Sequence, residues 1–441
     1  MATIALKDRP IRGAGKPKAP SPVIAVIDVG SSKIVCLIAQ PQMIDTDSFA
    51  AGSRQSFKVI GVGHHLARGI RHGVVVNLDD AERSIRLAVD AAERMAGVSM
   101  DSVHVNISGG KPRCHNYSGQ VRVSDGEVRD RDIQAAIAAA RGRIDEQTGQ
   151  VLLYMAPVEY GLDGARGVRD PKGMFGERLV VELNAVTVDQ GSLRNLALAV
   201  ERCHLTIRTM VIAAYAAGRS VLVDDERQLG VTCIDMGGGT TSIAVFMEDR
   251  LVFADAVPIG GNHITNDIAR GLSTTLAHAE RMKTLYGDTM ASLCDDHELI
   301  SVPLVGERGT DTVYKIPRSM LTGIIRPRLE ETFELVRERL DYAGFAKRAG
   351  RRAVLTGGAS QMSGVSELAG RILDKRIRRG LPRSAANMPK SARGPAFAVA
   401  SGLVEYALKP DEHVAAMPHT AGPFMSRGYF FRVGQWIRES F

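Results

Sequence analysis

Asp28 and Asp235 stand in the same local setting in two distant parts of the chain. Each ends an apolar, β-branched run, VIAVID at 23–28 and VTCID at 231–235. A turn follows, and then a second apolar run. The pattern predicts two buried strands joined tightly at each place. Glycine suits such turns because it accepts positive φ and lets backbone N–H groups approach an anion closely. A carboxylate delivered to that turn can hold a water on Mg²⁺. The amides of Gly30, Ser31 and Ser32, and of Gly237, Gly238, Gly239, Thr240 and Thr241, can cradle phosphate oxygens. Lys33 could touch a phosphate or simply face solvent. One glycine hairpin is a modest signal, since ordinary strands are joined this way. Here a third loop, AVLTGGAS at 353–360, carries another strand into Gly357, Gly358 and Ala359. Three such loops could clamp a phosphate chain between two similar domains.

The rest of the chain must position these loops. At 441 residues, with 44% hydrophobic and 24% charged residues, it is an ordinary globular composition spread over two or more domains. The net charge of +7 is mild. Five cysteines show no metal or disulfide spacing, which fits a reducing cytoplasm, and Cys36 and Cys233 sit in apolar runs as small core residues. No stretch is long enough to span a membrane and the N-terminus lacks an apolar signal core, so any membrane contact is expected to be peripheral.

Residues 1–21 read as a disordered basic tail. Strands are expected over 58–63, 73–77 and 103–110, with a helix capped by Asp79 and running to Met95. His64 and His65 could suggest a metal, but adjacent side chains on a strand point to opposite faces, which favours surface histidines. Residues 109–186 have a helix at 130–141, strands at 120–123, 151–160 (broken by Pro157) and 179–188, and a glycine-rich loop at 161–178. They could form an inserted subdomain; with no catalytic constellation, an interaction role is favoured. Helices at 193–202 and 213–222 flank a strand at 206–212, and a strand at 251–258 leads to Gly260 and Gly261. One long helix is expected over 264–286. It places Glu280 and Lys283 on one face, as a surface salt bridge or as something more. Residues 320–342 read as a helix holding Pro327, with a kink or a late start. Arg318, Arg326 and Arg328 cluster there, as a solvated face or a site for an acidic peptide. Residues 371–393 read as a basic loop without the aromatics that stack nucleic-acid bases. A helix at 395–406 closes the fold, and 409–426 reads as a linker.

The last fifteen residues differ again. On a helix, Tyr429, Phe430, Val433, Trp436, Ile437 and Phe441 fall within an arc of roughly 140°. Arg427, Arg432 and Arg438 lie outside it. A terminal helix docked on its own domain is one reading. The preceding linker, flanking arginines and aromatic face favour an interfacial helix on an anionic membrane.

The loops at 23–40, 229–247 and 353–360, in that order, resemble the two phosphate motifs and the adenosine motif of the superfamily of actin, sugar kinases and heat-shock chaperones. The stretch ERCHLTIRTMVIAAYAAGRSVLVDDERQLGVTCIDMGGGTTSIAVF narrows this. It resembles the FtsA family of bacterial cell-division proteins, and the likeness covers nearly all of residues 22–441. The resemblance implies an α/β, actin-like two-domain ATPase fold of duplicated ribonuclease-H-like domains. It adds an FtsA-type inserted subdomain at 109–186 and a C-terminal amphipathic helix at 427–441. Subdomain IA would comprise 22–108 and 187–206, IIA 207–260 and 328–408, and IIB 261–327. It implies ATP with Mg²⁺ held through water by Asp28 and Asp235, phosphates on the first two loops, and adenosine at Gly357 and Gly358 beside Glu280 and Lys283. It implies a protein at the cytoplasmic side of the inner membrane that tethers FtsZ filaments and itself forms filaments. The FtsZ tail would meet Arg318, Arg326 and Arg328, and later division proteins the inserted subdomain. No residue marks itself as the base for hydrolysis. The basic tail before Val23 and the basic stretch at 374–394 depart from the family pattern. Two rivals share the nucleotide loops: a sugar kinase, which would need a carboxylate base, and a pilus-type actin-like adaptor, which would lack the terminal helix.

Overall fold

The computed structural model describes residues 23–42, 56–144, 149–290, 296–306 and 313–410. The expected basic tail, all but the first two residues of the linker, and the helix at 427–441 lie outside the described residues.

The chain opens with β1 (Ile24–Val29), β2 (Lys33–Gln42), β3 (Ser56–Leu66), α1 (Leu78–Ala96) and β4 (Ser102–Ile107). An insertion follows: β5 (Arg113–Arg122), α2 (Asp130–Arg141), β6 (Gln150–Leu162), β7 (Ala165–Val168) and β8 (Arg178–Asp189). Then α3 (Gln190–Glu201) and β9 (Thr206–Ile212) complete a five-stranded sheet in the order β9-β4-β1-β2-β3. The second lobe starts with α4 (Ala213–Val221), α5 (Asp224–Leu229), β10 (Val231–Met236), β11 (Thr241–Met247) and β12 (Arg250–Val257). It continues through α6 (Gly261–Gly271), α7 (Leu276–Tyr286), β13 (Leu299–Pro303), β14 (Val313–Pro317) and α8 (Arg318–Tyr342). It ends with β15 (Arg352–Thr356), α9 (Val365–Leu373), β16 (Arg376–Arg379) and α10 (Ala398–Leu408). Its sheet runs β12-β11-β10-β15-β16. In both sheets three antiparallel strands come first and two parallel strands are added beside the first of them. The duplication hinted at by two hairpins therefore extends to all five strands.

β1 and β10 are central, covered on both faces, and nearly every residue in them is buried. That is why they read as continuous apolar runs rather than alternating ones. Between the sheets, α4 and α10 pack backbone to backbone. A Cβ at Gly402 would lie 1.7 Å from the Ala216 carbonyl oxygen, so glycine is required there. The inserted sheet, in the order β5-β8-β6-β7, has a core of its own around Met155, Leu179, Val181, Leu183, Ala136 and Ala140. It also leans on the second lobe. Asn184 Nδ2 donates to Val252 O at 2.8 Å, and Arg250 Nη1 donates to Val158 O at 2.5 Å.

Several expectations need correction. The cap of α1 is Asn77, which has extended backbone and accepts from Asp80 N–H; Asp79 falls in the first turn. The expected helix over 264–286 is two helices, because Thr275 turns extended and caps α7 through His278 N–H. α8 already begins at Arg318 and carries Pro327 inside it, so the helix does not start late. Pro157 does not end β6; the pairing with β8 shifts register between Glu182 and Leu183 instead. The basic stretch at 371–393 is not all loop. It contains β16, whose Arg378 reaches the buried Glu226 with Nε at 2.7 Å and Nη2 at 2.5 Å.

Candidate functional site

Asp28 and Asp235 are each the last residue but one of their strands, β1 and β10, and each lies opposite its hairpin partner in register. Both are buried, at 9% and 8% exposure. Burial raises the Asp28 carboxyl to about 6, against the opposing pull of Lys33 and a hydrogen bond from Asn106. Burial, and after it the charge of Asp28, raises Asp235 to about 7, with Lys33 again opposing. The two carboxylates thus feel one another across the lobes. Lys33 turns inward rather than to solvent. Burial pushes its ammonium down, against attraction from both carboxylates. Its Nζ lies 3.6 Å from the centroid of the Phe397 ring.

The turns are closed by Gly30 N–H donating to Lys33 O at 3.1 Å, and Gly237 N–H to Thr240 O at 2.9 Å. These bonds leave the amides of Ser31, Ser32, Gly238 and Gly239 outside the turn ladder. The reason for glycine is closeness, not the positive φ that the sequence suggests; none of Gly237, Gly238 and Gly239 is left-handed. A Cβ at Gly238 would stand 2.5 Å from Ser32 Cβ, and one at Gly239 would stand 2.5 Å from Ser31 Oγ. The two turns therefore touch. Asn262 Nδ2 donates to Ser31 O at 3.3 Å, and Gly73 N–H donates to Ser31 Oγ at 2.8 Å. His72 Nδ1 lies 3.1 Å from Pro258 O and its ring 5.1 Å from that of His263.

Gly260 and Gly261 buttress the second turn. Gly261 N–H donates to Gly237 O at 2.9 Å, and a Cβ at Gly260 would meet that same oxygen at 2.6 Å. Parallel pairing of Asp235 with Thr356 sets the third loop beside the second. Gly357 is left-handed, at φ 87°, and a Cβ there would lie 2.4 Å from Asp235 Oδ1. Gly358 begins a short 3-10 turn, and Ala359 faces Gly261, whose Cβ position is 3.4 Å from Ala359 Cβ. From α7, Lys283 Nζ joins Glu280 at 2.6 Å, Thr265 Oγ1 at 2.8 Å and Gly261 O at 3.0 Å. Lys283 is therefore drawn in against the glycine loops, beyond what a solvated surface pair would need.

Arg318, Arg326 and Arg328 each have carboxylate partners within the second lobe. Arg318 pairs with Glu298 at 3.0 Å and Asp288 at 3.5 Å, and Arg326 with Glu330 at 2.7 Å. Arg328 pairs with Asp267 at 2.6 Å and with Glu331. None of these partners comes from the glycine loops. Tyr429, Phe430, Val433, Trp436, Ile437, Arg438 and Phe441 lie outside the described residues. Sequence reasoning missed Asn106, His72, Asn262 and Phe397 as parts of this junction. Asn262, next to Gly260 and Gly261, had a local signal; the others are brought in from remote segments.

Among the described residues no group of three or more His, Cys, Asp or Glu could hold a metal alone. Two carboxylates with free amides fit Mg²⁺ accompanied by a polyanion, because Mg²⁺ keeps several waters and takes few protein ligands. The arrangement suits a small polyphosphate and a hard cation held between two lobes.

The model of "Cell division protein FtsA" matches residues 232–402, and that of the "SHS2 domain inserted in FTSA" matches residues 109–187. The cell division protein FtsA of Rhizobium meliloti (strain 1021) is 43% identical over 430 residues, covering 96% of this chain and 96% of its own. That of Pseudomonas aeruginosa is 33% identical over 423 residues, covering 95% of this chain and 98% of its own. Among solved structures, a chain of the PilM-PilN type IV pilus biogenesis complex superposes with a TM-score of 0.60 at 16% identity. It covers 89% of this chain and 100% of that one, a likeness of fold alone. The architecture is the actin-like two-domain fold with an inserted SHS2 subdomain, and among the described residues no helix is long and apolar enough to cross a membrane. The chain belongs to the FtsA family of cell division proteins.

Proposed function

We propose that this protein binds ATP with Mg²⁺ between its lobes and uses that binding to control the tethering of FtsZ filaments to the inner membrane. The observation that carries the reading is the pair of buried carboxylates, Asp28 and Asp235, with the half-buried Lys33 beside them where the glycine turns meet. Asp28 and Asp235 hold the waters of Mg²⁺, and the amides of Ser31, Ser32, Gly238 and Gly239 take the phosphates. Gly260 and Gly261 support that second turn. Gly357, Gly358 and Ala359 face the adenosine, with Glu280 and Lys283 at its border. Mg²⁺ supplies charge neutralisation to the triphosphate. Because both lobes contribute, the bound nucleotide favours the closed arrangement by its differential affinity for it. Closure in turn sets the affinity for a neighbouring copy in a filament.

The helix at 427–441 lies on the cytoplasmic leaflet through its aromatic face, and the subdomain at 261–327 with Arg318, Arg326 and Arg328 receives the FtsZ tail. The inserted subdomain at 109–186 meets later division proteins. Two measurements test this. Titration with a fluorescent ATP should show saturable binding that needs Mg²⁺. Co-sedimentation with anionic phospholipid vesicles should carry the protein down, carry an FtsZ tail peptide with it, and fail once residues 427–441 are removed. Unchanged vesicle binding after that deletion would overturn the anchor. Rapid phosphorylation of a small sugar in a coupled assay would favour a kinase instead.

A further inference from the structure

The turn Pro395–Phe397 touches two of the three loops at once. Pro395 O accepts from Gly357 N–H at 3.2 Å and from Thr356 Oγ1 at 3.4 Å. Two residues on, the Phe397 ring carries the Lys33 ammonium on its face. The ring is buried at 8% exposure and leads directly into α10, which is locked against α4 at Gly402. It cannot move away without moving that helix.

Lys33 has two buried carboxylates for neighbours and feels the charge of both, yet among the described residues it makes no ion pair within 4.0 Å with either. A compact ammonium on a flexible four-carbon stem would ordinarily collapse onto such a pair. Attraction to an aromatic face supplies the alternative, and it strengthens where water is excluded. We infer that Phe397 is a positioning residue for the phosphate site. Its ring holds the Lys33 ammonium off Asp28 and Asp235, so that the carboxylates stay available to a divalent cation and the ammonium to a polyphosphate oxygen. This rests on the nucleotide reading given above.

The test is ATP affinity in the full chain, with Mg²⁺ present, for wild type, Phe397→Leu, Phe397→Tyr, Lys33→Met and the Phe397→Leu/Lys33→Met pair. Loss of the ring should weaken ATP roughly three- to thirty-fold. Tyrosine should restore binding to within about twofold, since it keeps the ring face. In the Lys33→Met background, Phe397→Leu should have no further effect, because the ring acts through that ammonium. Adenosine, which lacks phosphates, should bind Phe397→Leu and wild type alike. Independent, additive losses, or equal losses for ATP and adenosine, would mean that the ring only packs. If Phe397→Leu does not fold, phenylalanines of increasing fluorination at 397 keep the shape while draining the ring face of charge. A stepwise loss of ATP affinity supports the inference and a flat series overturns it. Failure of the wild-type chain to bind ATP would overturn the nucleotide reading and this inference together, whereas wild-type binding with an indifferent Phe397→Leu overturns this inference alone.

Discussion

The β1–β2 hairpin turns through Gly30, Ser31, Ser32 and Lys33, and the β10–β11 hairpin through Gly237, Gly238, Gly239 and Thr240. Their strands pair in matching register and each brings a buried aspartate to the junction. The turns, however, divide the labour. The first presents side chains: Ser31 Oγ accepts from Gly73 N–H, and Lys33 reaches inward onto Phe397. The second presents space, with glycines where any Cβ would strike Ser31 or Ser32. A duplicated backbone can thus specialise by putting chemistry on one copy and close approach on the other.

If the aspartates are the equivalent part of the two copies, Asp28→Ala and Asp235→Ala should each lower Mg²⁺-dependent ATP affinity by about ten- to a hundredfold, the usual loss when a group that orients a metal's ligands is removed. Equilibrium titration checks this; a loss for one and not the other would break the symmetry. Next comes pH. Both carboxyls are raised by burial, so between pH 4 and 7 the folded chain holds protons that the unfolded chain has released. Their contribution to stability should therefore fall as pH rises from about 4 to about 7, and Mg²⁺ with ATP should reverse the fall. Urea unfolding of wild type and the Asp28→Asn/Asp235→Asn pair across that range isolates the slope, which the double variant should lose.

The difference between the turns is sharpened by Gly238→Ala, expected to cost about 2 kcal/mol through overpacking against Ser32. Adding Ser32→Gly should recover part of it, as denaturant melts of the single and double variants would reveal. Smallest is Ser31→Ala, which leaves the Gly73 N–H without its acceptor and should cost about 1 kcal/mol. A loss as large as that of Gly238→Ala would mean that the first turn is also held by steric fit.

Local pattern was enough for the strand ends, the glycine turns and most helices, because buried central strands and tight turns restrict residue types strongly at short range. It failed where distant partners decide the outcome. Residues 371–393 read as a basic loop, yet Arg378 belongs to a strand and is held by buried Glu226 from α5. The apolar rhythm across 264–286 hid the break that Thr275 makes. Lys33 was undecided until Phe397, far along the chain, supplied a face for it.

From the order of its residues alone this chain determined two aspartate-tipped hairpins, a late double-glycine loop and their kinship to a known family. Those features are local, or shared with relatives along the whole length. The tertiary structure decided that the hairpins meet, that glycine in the second hairpin's turn serves contact rather than unusual torsion, and that a lysine flanked by two carboxylates rests on an aromatic ring. Each of those depends on which remote atoms exclude water and steric room at one point, and no short window of sequence contains that information.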